Sequence, residues 1–217
     1  MHGFLTTLSQ SSGALASALL ITLTVSAAAV AAGAVIGLGF GLMLTYGGRL
    51  AALPFRIIVD VVRGTPVLVL ILATYYMPSG LGVSPGPILA GTVALAIFCA
   101  AHMGETLRGA LIAIPPAQTD AACSIGLTFG QTLRHVLMPQ AVRQIAPSFV
   151  NTAVEIVKAS SLMSAIGVGE LLLTTQEIIG RTFLTMEFYA LVGALYLLVN
   201  LAIGAGGWWL ERRFRFH

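Results

Sequence analysis

The stretch "SSGALASALLITLTVSAAAVAAGAVIGLGFGLMLTYGG", Ser11 to Gly48, contains no charged side chain. A helix that crosses a lipid bilayer needs about 20 consecutive apolar residues, so this stretch is long enough to supply one. Its many glycine and alanine residues allow a second helix to approach closely. The stretch therefore predicts a membrane protein whose first span lies within residues 14–44.

The composition of the whole chain agrees with this interpretation. Of the 217 residues, 57% are hydrophobic and only 9% are charged, whereas about 25% are charged in an ordinary soluble domain. A water-soluble core of this size could not bury so much apolar surface. The net charge of +3 is too small to indicate nucleic-acid binding. The N-terminus lacks the basic region of a signal peptide, so we expect it to remain as a span.

Four more apolar stretches follow, and they are separated by loops that contain proline and glycine. The loop "MPSGLGVSPGP" closes the second stretch, and Pro115-Pro116 ends the third. The sequence thus predicts an all-α, polytopic membrane protein that forms a single domain over residues 1–217. Its five spans are expected over residues 14–44, 57–77, 88–111, 144–168 and 188–210.

The loops on the two sides of such a bundle differ sharply in their number of basic residues. One side carries eight arginines and the other carries only Arg181, while Arg63 and Lys158 fall inside spans. Because cytoplasmic loops hold the excess of Lys and Arg, we expect the N-terminus outside and the C-terminus inside the cell. The eight arginines are Arg49, Arg56, Arg108, Arg134, Arg143, Arg212, Arg213 and Arg215.

The predicted cytoplasmic segment between the third and fourth spans, "QTDAACSIGLTFGQTLRHVLMP", has apolar residues at helical spacing. Thr119 is expected to be its N-cap. Gly126 and Gly130 would each weaken a continuous helix by roughly 1 kcal/mol, so we expect a helix, a turn and a second helix. The pattern fits a structural helix on the membrane surface and, equally, a helix that docks into a groove on a partner.

The same segment resembles the EAA loop of bacterial ABC importer permeases. In that loop Glu-Ala-Ala is followed by Gly and later by an apolar residue and Pro. Asp120, Ala121, Ala122, Gly126 and Pro139 fall at this spacing, with Asp in place of the usual Glu. The resemblance implies that the coupling segment, about residues 117–139, docks into a cytoplasmic ATPase and transmits its closure to the spans.

Four further stretches resemble the branch of this family that imports polar amino acids and opines. They are "RGTPVLVL" (63–70), "HMGETLRGAL" (102–111), "MPQAVRQIAP" (138–147) and "KASSLMSAIGVGEL" (158–171). The resemblance implies a permease subunit in the bacterial inner membrane that carries polar or basic amino acids or opine-like derivatives. It also implies a periplasmic solute-binding protein, a second permease chain, identical or paralogous, and an ATPase dimer that uses ATP and Mg.

Three acid-then-base pairs with i, i+3 spacing occur inside the predicted spans, where such neighbours can meet on a helix. Two of them lie near the cytoplasmic end, and we expect them to be structural or gating elements. The third lies near the middle of the membrane. The pairs are Asp60 with Arg63, Glu105 with Arg108, and Glu155 with Lys158.

Glu155 is the predicted substrate ligand, because charged residues inside spans usually face the bundle interior or a water-filled path. We expect its carboxylate to bind the cationic group of the solute, with Lys158, Ser160 and Ser161 beside it. The alternative is that Lys158 only neutralises Glu155. A set of acidic residues in the outer loop is expected to face the binding protein: Glu170, Glu177 and Glu187.

The chain lacks the phosphate-binding pattern G-x-x-x-x-G-K-[ST], and it shows no cluster of metal ligands or catalytic residues. We therefore expect no enzymatic activity and no cofactor in this chain, and we expect the energy to come from a partner. A two-fold ATPase offers two clefts and this chain has one coupling segment, which implies a second permease. The alternative is a free-standing, ion-coupled secondary transporter or channel, although such transporters usually contain internal repeats.

Overall fold

The computed structural model describes the backbone of residues 2–215 and the side chains of residues 3–209 and of Arg212. Every regular element in that range is helical, which confirms the predicted all-α class. Arg213 and Arg215, expected on the cytoplasmic side, have side chains outside the described part. The helices are α1 His2–Tyr46, α2 Arg49–Gly64, α3 Val67–Tyr76, α4 Pro87–Ala113, α5 Pro116–Ser124, α6 Phe129–Thr132, α7 Met138–Ala159, α8 Leu171–Thr182 and α9 Thr185–Arg215.

Helix α4 is the centre of the bundle, and it packs against α1, α2, α3 and α7. Its side chains Leu95 and Leu107 are completely buried, together with Ile71 of α3 and Ile156 of α7. A second, smaller cluster joins the N-terminal half of α1 to α8 and α9 through Leu15, Leu171 and Phe188. The two clusters together hold the long helix α1 along most of its length.

Glycines bring α1 and α4 into direct backbone contact, as the small residues of the first stretch predict. A Cβ atom added at Gly37 would lie 2.7 Å from the Met103 Cβ atom and 2.9 Å from the Ala100 carbonyl oxygen. Gly33 and Gly41, one turn away on either side, face α4 with equally short approaches. A side chain larger than that of glycine at any of these three positions would therefore collide with α4.

Three helices in the described range, α1, α4 and α9, are each long and apolar enough to cross a membrane. Two bent pairs pass the same test only when their halves are taken together, and counting each pair as one span gives five. The chain bends by 113° between Arg49–Gly64 and Val67–Leu81, and by 52° between Phe129–Ile166 and Leu171–Thr182. The predicted span 57–77 therefore includes a sharp bend that the hydropathy pattern did not indicate.

Local sequence explains both bends. Pro66 disfavours helical backbone at the residue before it, and Thr65 accordingly has φ −102° and ψ 133°. At the second bend a 3₁₀ turn, Ser160–Ile166, ends at Gly167, whose φ of +81° suits a residue without a side chain. At the second bend, where Ser160 and Val168 are buried, neighbouring helices can supply hydrogen-bond partners for the polar backbone.

Enlarging Gly37 should separate α1 from α4. Because overpacking costs about 1–3 kcal/mol and 1 kcal/mol moves the melting temperature of a chain of this size by about 2–4 °C, Gly37→Leu should melt several degrees lower. Gly39→Leu is the matched control, since a Cβ atom there meets nothing within 4 Å. Equal melting temperatures for the two purified variants would contradict the proposed role of the glycine contact.

Candidate functional site

The coupling segment folds as a helix, a turn and a second helix, as predicted. Helix α5 ends at a turn in which the Gly126 amide donates to the Cys123 carbonyl at 2.9 Å and the Leu127 amide donates to the Ala122 carbonyl at 3.1 Å. The φ of Gly126 is +80°, a conformation that is unfavourable for a residue with a Cβ atom. The turn itself therefore favours glycine at this position.

The N-cap prediction for this segment was wrong. Thr119 lies inside α5, which begins at Pro116, with Pro115 as its N-cap. Proline is well suited to the first helical positions, because its missing N–H has no helical partner there and its φ is already fixed. The side-chain cap occurs instead at Thr128, whose backbone amide and hydroxyl contact the Gln131 side chain in a capping box that starts α6.

Most of the residues that the family pattern singles out lie on the exposed surface of the coupling segment. Asp120, Ala121, Gly126 and Pro139 are exposed, whereas Ala122 is only 4% exposed and packs inward. Ile125 and Phe129 of the same segment are also exposed. This partly apolar surface with one carboxylate is available to contact another protein.

The coupling segment also contacts the membrane helices of its own chain. The Phe129 ring packs edge-on against the Tyr46 ring at the end of α1, with 5.1 Å between the ring centroids. Leu133 and Val136, in the π-helical turn that leads into α7, pack against the main core. A displacement of this segment would therefore be transmitted to both α1 and α7.

The three predicted acid–base pairs behave differently in the structure. Arg108 donates to Glu105 through two nitrogens, at 2.9 Å and 2.5 Å. Among the described residues, this is the one ion pair that the structure shows. Asp60 and Arg63 of α2 are exposed and show no ion pair with each other in that part of the chain, although both lie within electrostatic range of the Glu105–Arg108 pair. The first two predicted pairs therefore form one charged group between α2 and α4.

Glu155 and Lys158 lie on one exposed face of α7, and the described residues show no ion pair between them. Ser161 is half-buried, and its hydroxyl donates to the Lys158 carbonyl at 2.7 Å. Ser160 differs from the other three predicted residues, because it is fully buried and donates to the Val157 carbonyl. Ser160 consequently lies behind this polar face and not on it.

Glu170 is the residue that sequence analysis misplaced. It was expected in an exposed acidic loop with Glu177 and Glu187, which are indeed exposed, but Glu170 itself has no exposed surface. Its carboxylate accepts from the Leu172 and Leu173 amides, both at 2.9 Å. The residue is therefore an N-cap of α8.

Two other helices complete the surroundings of Glu170. The Tyr196 hydroxyl of α9 donates to the Glu170 carboxylate at 2.7 Å, and the Thr22 hydroxyl of α1 accepts from the Leu171 amide at 3.2 Å. One buried polar network thus joins α1, α8 and α9.

Comparison with known proteins gives consistent matches over most of the chain. A family model described as a binding-protein-dependent transport system inner membrane component matches residues 33–216. The glutamine transport system permease protein GlnP of Escherichia coli (strain K12) is 33% identical over 181 residues, covering 82% of this chain and 83% of that protein. The octopine transport system permease protein OccM of Rhizobium radiobacter is 34% identical over 180 residues, covering 76% of this chain and 72% of that protein.

A solved structure agrees with this. In a crystal structure of an amino acid ABC transporter with histidines, one chain superposes with a TM-score of 0.88 at 30% sequence identity. The match covers 95% of this chain and 96% of that chain.

Breaking the network around Glu170 should destabilise the bundle. Glu170→Ala leaves two helix amides without acceptors, at about 1–3 kcal/mol each, so its melting temperature should fall by at least about 4 °C. Glu177→Ala, which removes an exposed carboxylate on the same helix, should shift the melting temperature by no more than about 2 °C. In a double-mutant cycle, Glu170→Gln and Tyr196→Phe should be non-additive; strict additivity would show that the two side chains do not interact.

Proposed function

The chain belongs to the family of binding-protein-dependent transport system inner membrane components, and from this we propose that it is the permease subunit of an ATP-driven importer. Its solutes are polar or basic amino acids or opine-like derivatives, delivered by a periplasmic binding protein. The observation that carries the proposal is the exposed helix–turn–helix of the coupling segment in a chain whose relatives transport glutamine and octopine. These relatives favour the importer over a free-standing, ion-coupled transporter.

The coupling segment is the proposed docking site for a cytoplasmic ATPase. ATP and Mg bind to that partner and not to this chain. Asp120, Ala121, Gly126 and Pro139 are exposed and therefore available to a cleft on that partner. ATP-driven closure of the ATPase would displace this segment. The Tyr46–Phe129 contact and the direct connection into α7 would carry the displacement to the membrane helices.

A second permease chain is proposed from the charges on α7. Glu155 and Lys158 lie on the surface of the single chain, far along a helix of the membrane bundle. A charge that faced lipid at this depth would cost several kcal/mol, so this face needs a protein or water neighbour. A second permease, identical or paralogous, would supply it and enclose a path between the two chains.

Glu155 is the proposed ligand for the cationic group of the solute within this path. The absence of a Glu155–Lys158 ion pair among the described residues supports this role over simple neutralisation. Lys158 is placed to meet the solute carboxylate, and Ser161 is beside it. Ser160 supports the path from behind, and the Asp60, Arg63, Glu105 and Arg108 group holds α2 against α4 at the gate.

The outer surface of the importer is proposed to receive the binding protein. Glu177 and Glu187 are exposed on either side of the connection between α8 and α9. With the N-terminus outside, this connection lies on the periplasmic side of the bacterial inner membrane. Glu170 takes no part in this surface because it is buried.

Substituting Gly126 should separate coupling from folding. Gly126→Leu should leave the chain inserted in the membrane, because a left-handed conformation costs a bulky residue only about 1–2 kcal/mol, yet transport should fall at least about tenfold as the side chain obstructs the ATPase cleft. Gly126→Asn tests the turn alone, since Asn tolerates this conformation, and it should retain more transport than Gly126→Leu. Full transport by Gly126→Leu would argue against docking at this turn.

Removing the charge of Glu155 should weaken solute recognition. A hydrogen bond to a charged group contributes about 1.5–3 kcal/mol, which predicts that Glu155→Gln raises the KM for a basic solute by roughly tenfold or more. Glu155→Asp keeps the charge and should recover part of this loss. Transport by the importer reconstituted with its ATPase is the measurement, and an unchanged KM and solute preference in Glu155→Gln would eliminate the role.

The partner proposals are tested together by purification. The tagged chain, extracted gently from its host membrane, should bring down an ATPase subunit, identified by mass spectrometry. A second, different permease in the same sample would show a heterodimer, and its absence a homodimer. Recovery of the chain alone, even after crosslinking in intact membranes, would contradict the importer model.

A further inference from the structure

A cleft of about 560 Å³ opens on the side of the bundle, between α1, α4, α7 and α9. Its walls are almost entirely apolar and include Leu38 of α1, Met103 of α4 and Phe149 of α7. Gly207 forms the α9 side, where an added Cβ atom would clash with the Val150 side chain. The volume is within the range of about 300–1,000 Å³ that is typical of ligand sites.

Two arginines line the otherwise apolar cleft. Arg134, in the coupling segment, and Arg143, in the second turn of α7, both line it. From Arg143 to Val150 the cleft follows α7 for about 10 Å, at 1.5 Å per residue. A half-bilayer of hydrocarbon is about 15 Å thick, so a molecule with a charged head and an apolar chain fits the cleft along this direction.

The orientation of α7 indicates that lipid, and not the second permease, meets this cleft. At about 100° per residue, Val142, Ala146 and Phe149 lie on one side of α7. Glu155 and Lys158 lie on nearly the opposite side. The polar side is the one that requires a second permease or a water path, which leaves the cleft facing the bilayer.

Aromatic residues mark the membrane interface beside the cleft. Trp208 and Trp209 directly follow Gly207, which packs against Val150, and both are exposed; Arg212 lies 3.7 Å from the Trp208 ring centroid. Tryptophan is enriched at the level of the lipid headgroups. Arg143 lies about 10 Å from Val150 toward the start of α7, on the proposed cytoplasmic side of these tryptophans, where a lipid phosphate would lie.

We propose that this cleft binds an anionic glycerophospholipid, with its phosphate held by Arg134 and Arg143 and an acyl chain lying along Ala146 and Phe149. Guanidinium groups bind phosphate through paired hydrogen bonds, and basic pockets between membrane helices bind anionic headgroups. Since Arg134 belongs to the coupling segment, the bound lipid would contact the segment that receives the ATPase. The proposal rests on the proposed membrane orientation and on the proposed place of the second permease, and not on the identity of the solute.

Native mass spectrometry of the purified full-length chain, with the subunits that accompany it, tests the proposal. The probes are phosphatidylglycerol and phosphatidylcholine with identical acyl chains. We expect the wild type to bind phosphatidylglycerol about tenfold more tightly, and the double variant R134Q/R143Q to show a preference of no more than about twofold. Arg49→Gln removes an exposed arginine away from the cleft and should keep the tenfold preference.

Two further experiments distinguish a lipid bound inside the cleft from a lipid held by surface charge or by its headgroup alone. Ala146→Phe fills the cleft but keeps both arginines, and it should abolish the tight binding; if this variant does not fold, R134Q/R143Q decides alone. Glycerol phosphate, a headgroup without acyl chains, should not displace the lipid at equal concentration. The proposal would be overturned if R134Q/R143Q kept the preference or if Ala146→Phe kept the binding. Displacement by glycerol phosphate, or a permease dimer whose contact covers the cleft without lipid, would also overturn it.

Discussion

The contact between α1 and α4 is the interaction on which the remaining structure depends. Lipid provides no hydrophobic force between helices, so their association relies on close packing and on polar contacts. Glycines at four-residue spacing on α1 allow its backbone to reach α4. With α4 fixed against α1, the opposite sides of α4 are free to pack α2, α3 and α7. The bends and the coupling segment are then built outward from this pair.

Polar groups inside the bundle are arranged so that backbone irregularity is tolerated. The break between α7 and α8 leaves helix amides that water cannot reach, and a buried carboxylate, Glu170, accepts from two of them. Tyr196 and Thr22 bring in α9 and α1. A half-satisfied network would be worse than an apolar core, so these side chains function as a unit. This network stabilises the interruption between α7 and α8. It thereby fixes the position of the polar face at the end of α7.

Sequence reasoning succeeded where one residue type has one physical use. Gly126 predicted a turn because glycine weakens a helix, and the structure has a turn there with a φ of +80°; the apolar runs predicted an all-α membrane protein. It failed where two signals competed: Pro66 marked a bend, but the hydropathy of residues 57–77 favoured one straight span. The capping box at Thr128 was readable as T-x-x-Q and was overlooked in favour of Thr119. The burial of Glu170 depends on Tyr196, 26 residues away, and no local pattern reports such a contact.

Helix α7 unites these observations, because each of its three sides has a different neighbour. Ala141 and Ile156 face the core, and both are buried. Glu155 and Lys158 form the polar side, which a lipid environment excludes, and the arginine-tipped cleft forms the third side. A helix with three such faces has little freedom to rotate without exposing a charge to lipid or an apolar side chain to water. Motion that enters α7 from the coupling segment is therefore confined to tilting or sliding along its axis, and such a displacement would widen or narrow the path that we propose beside Glu155.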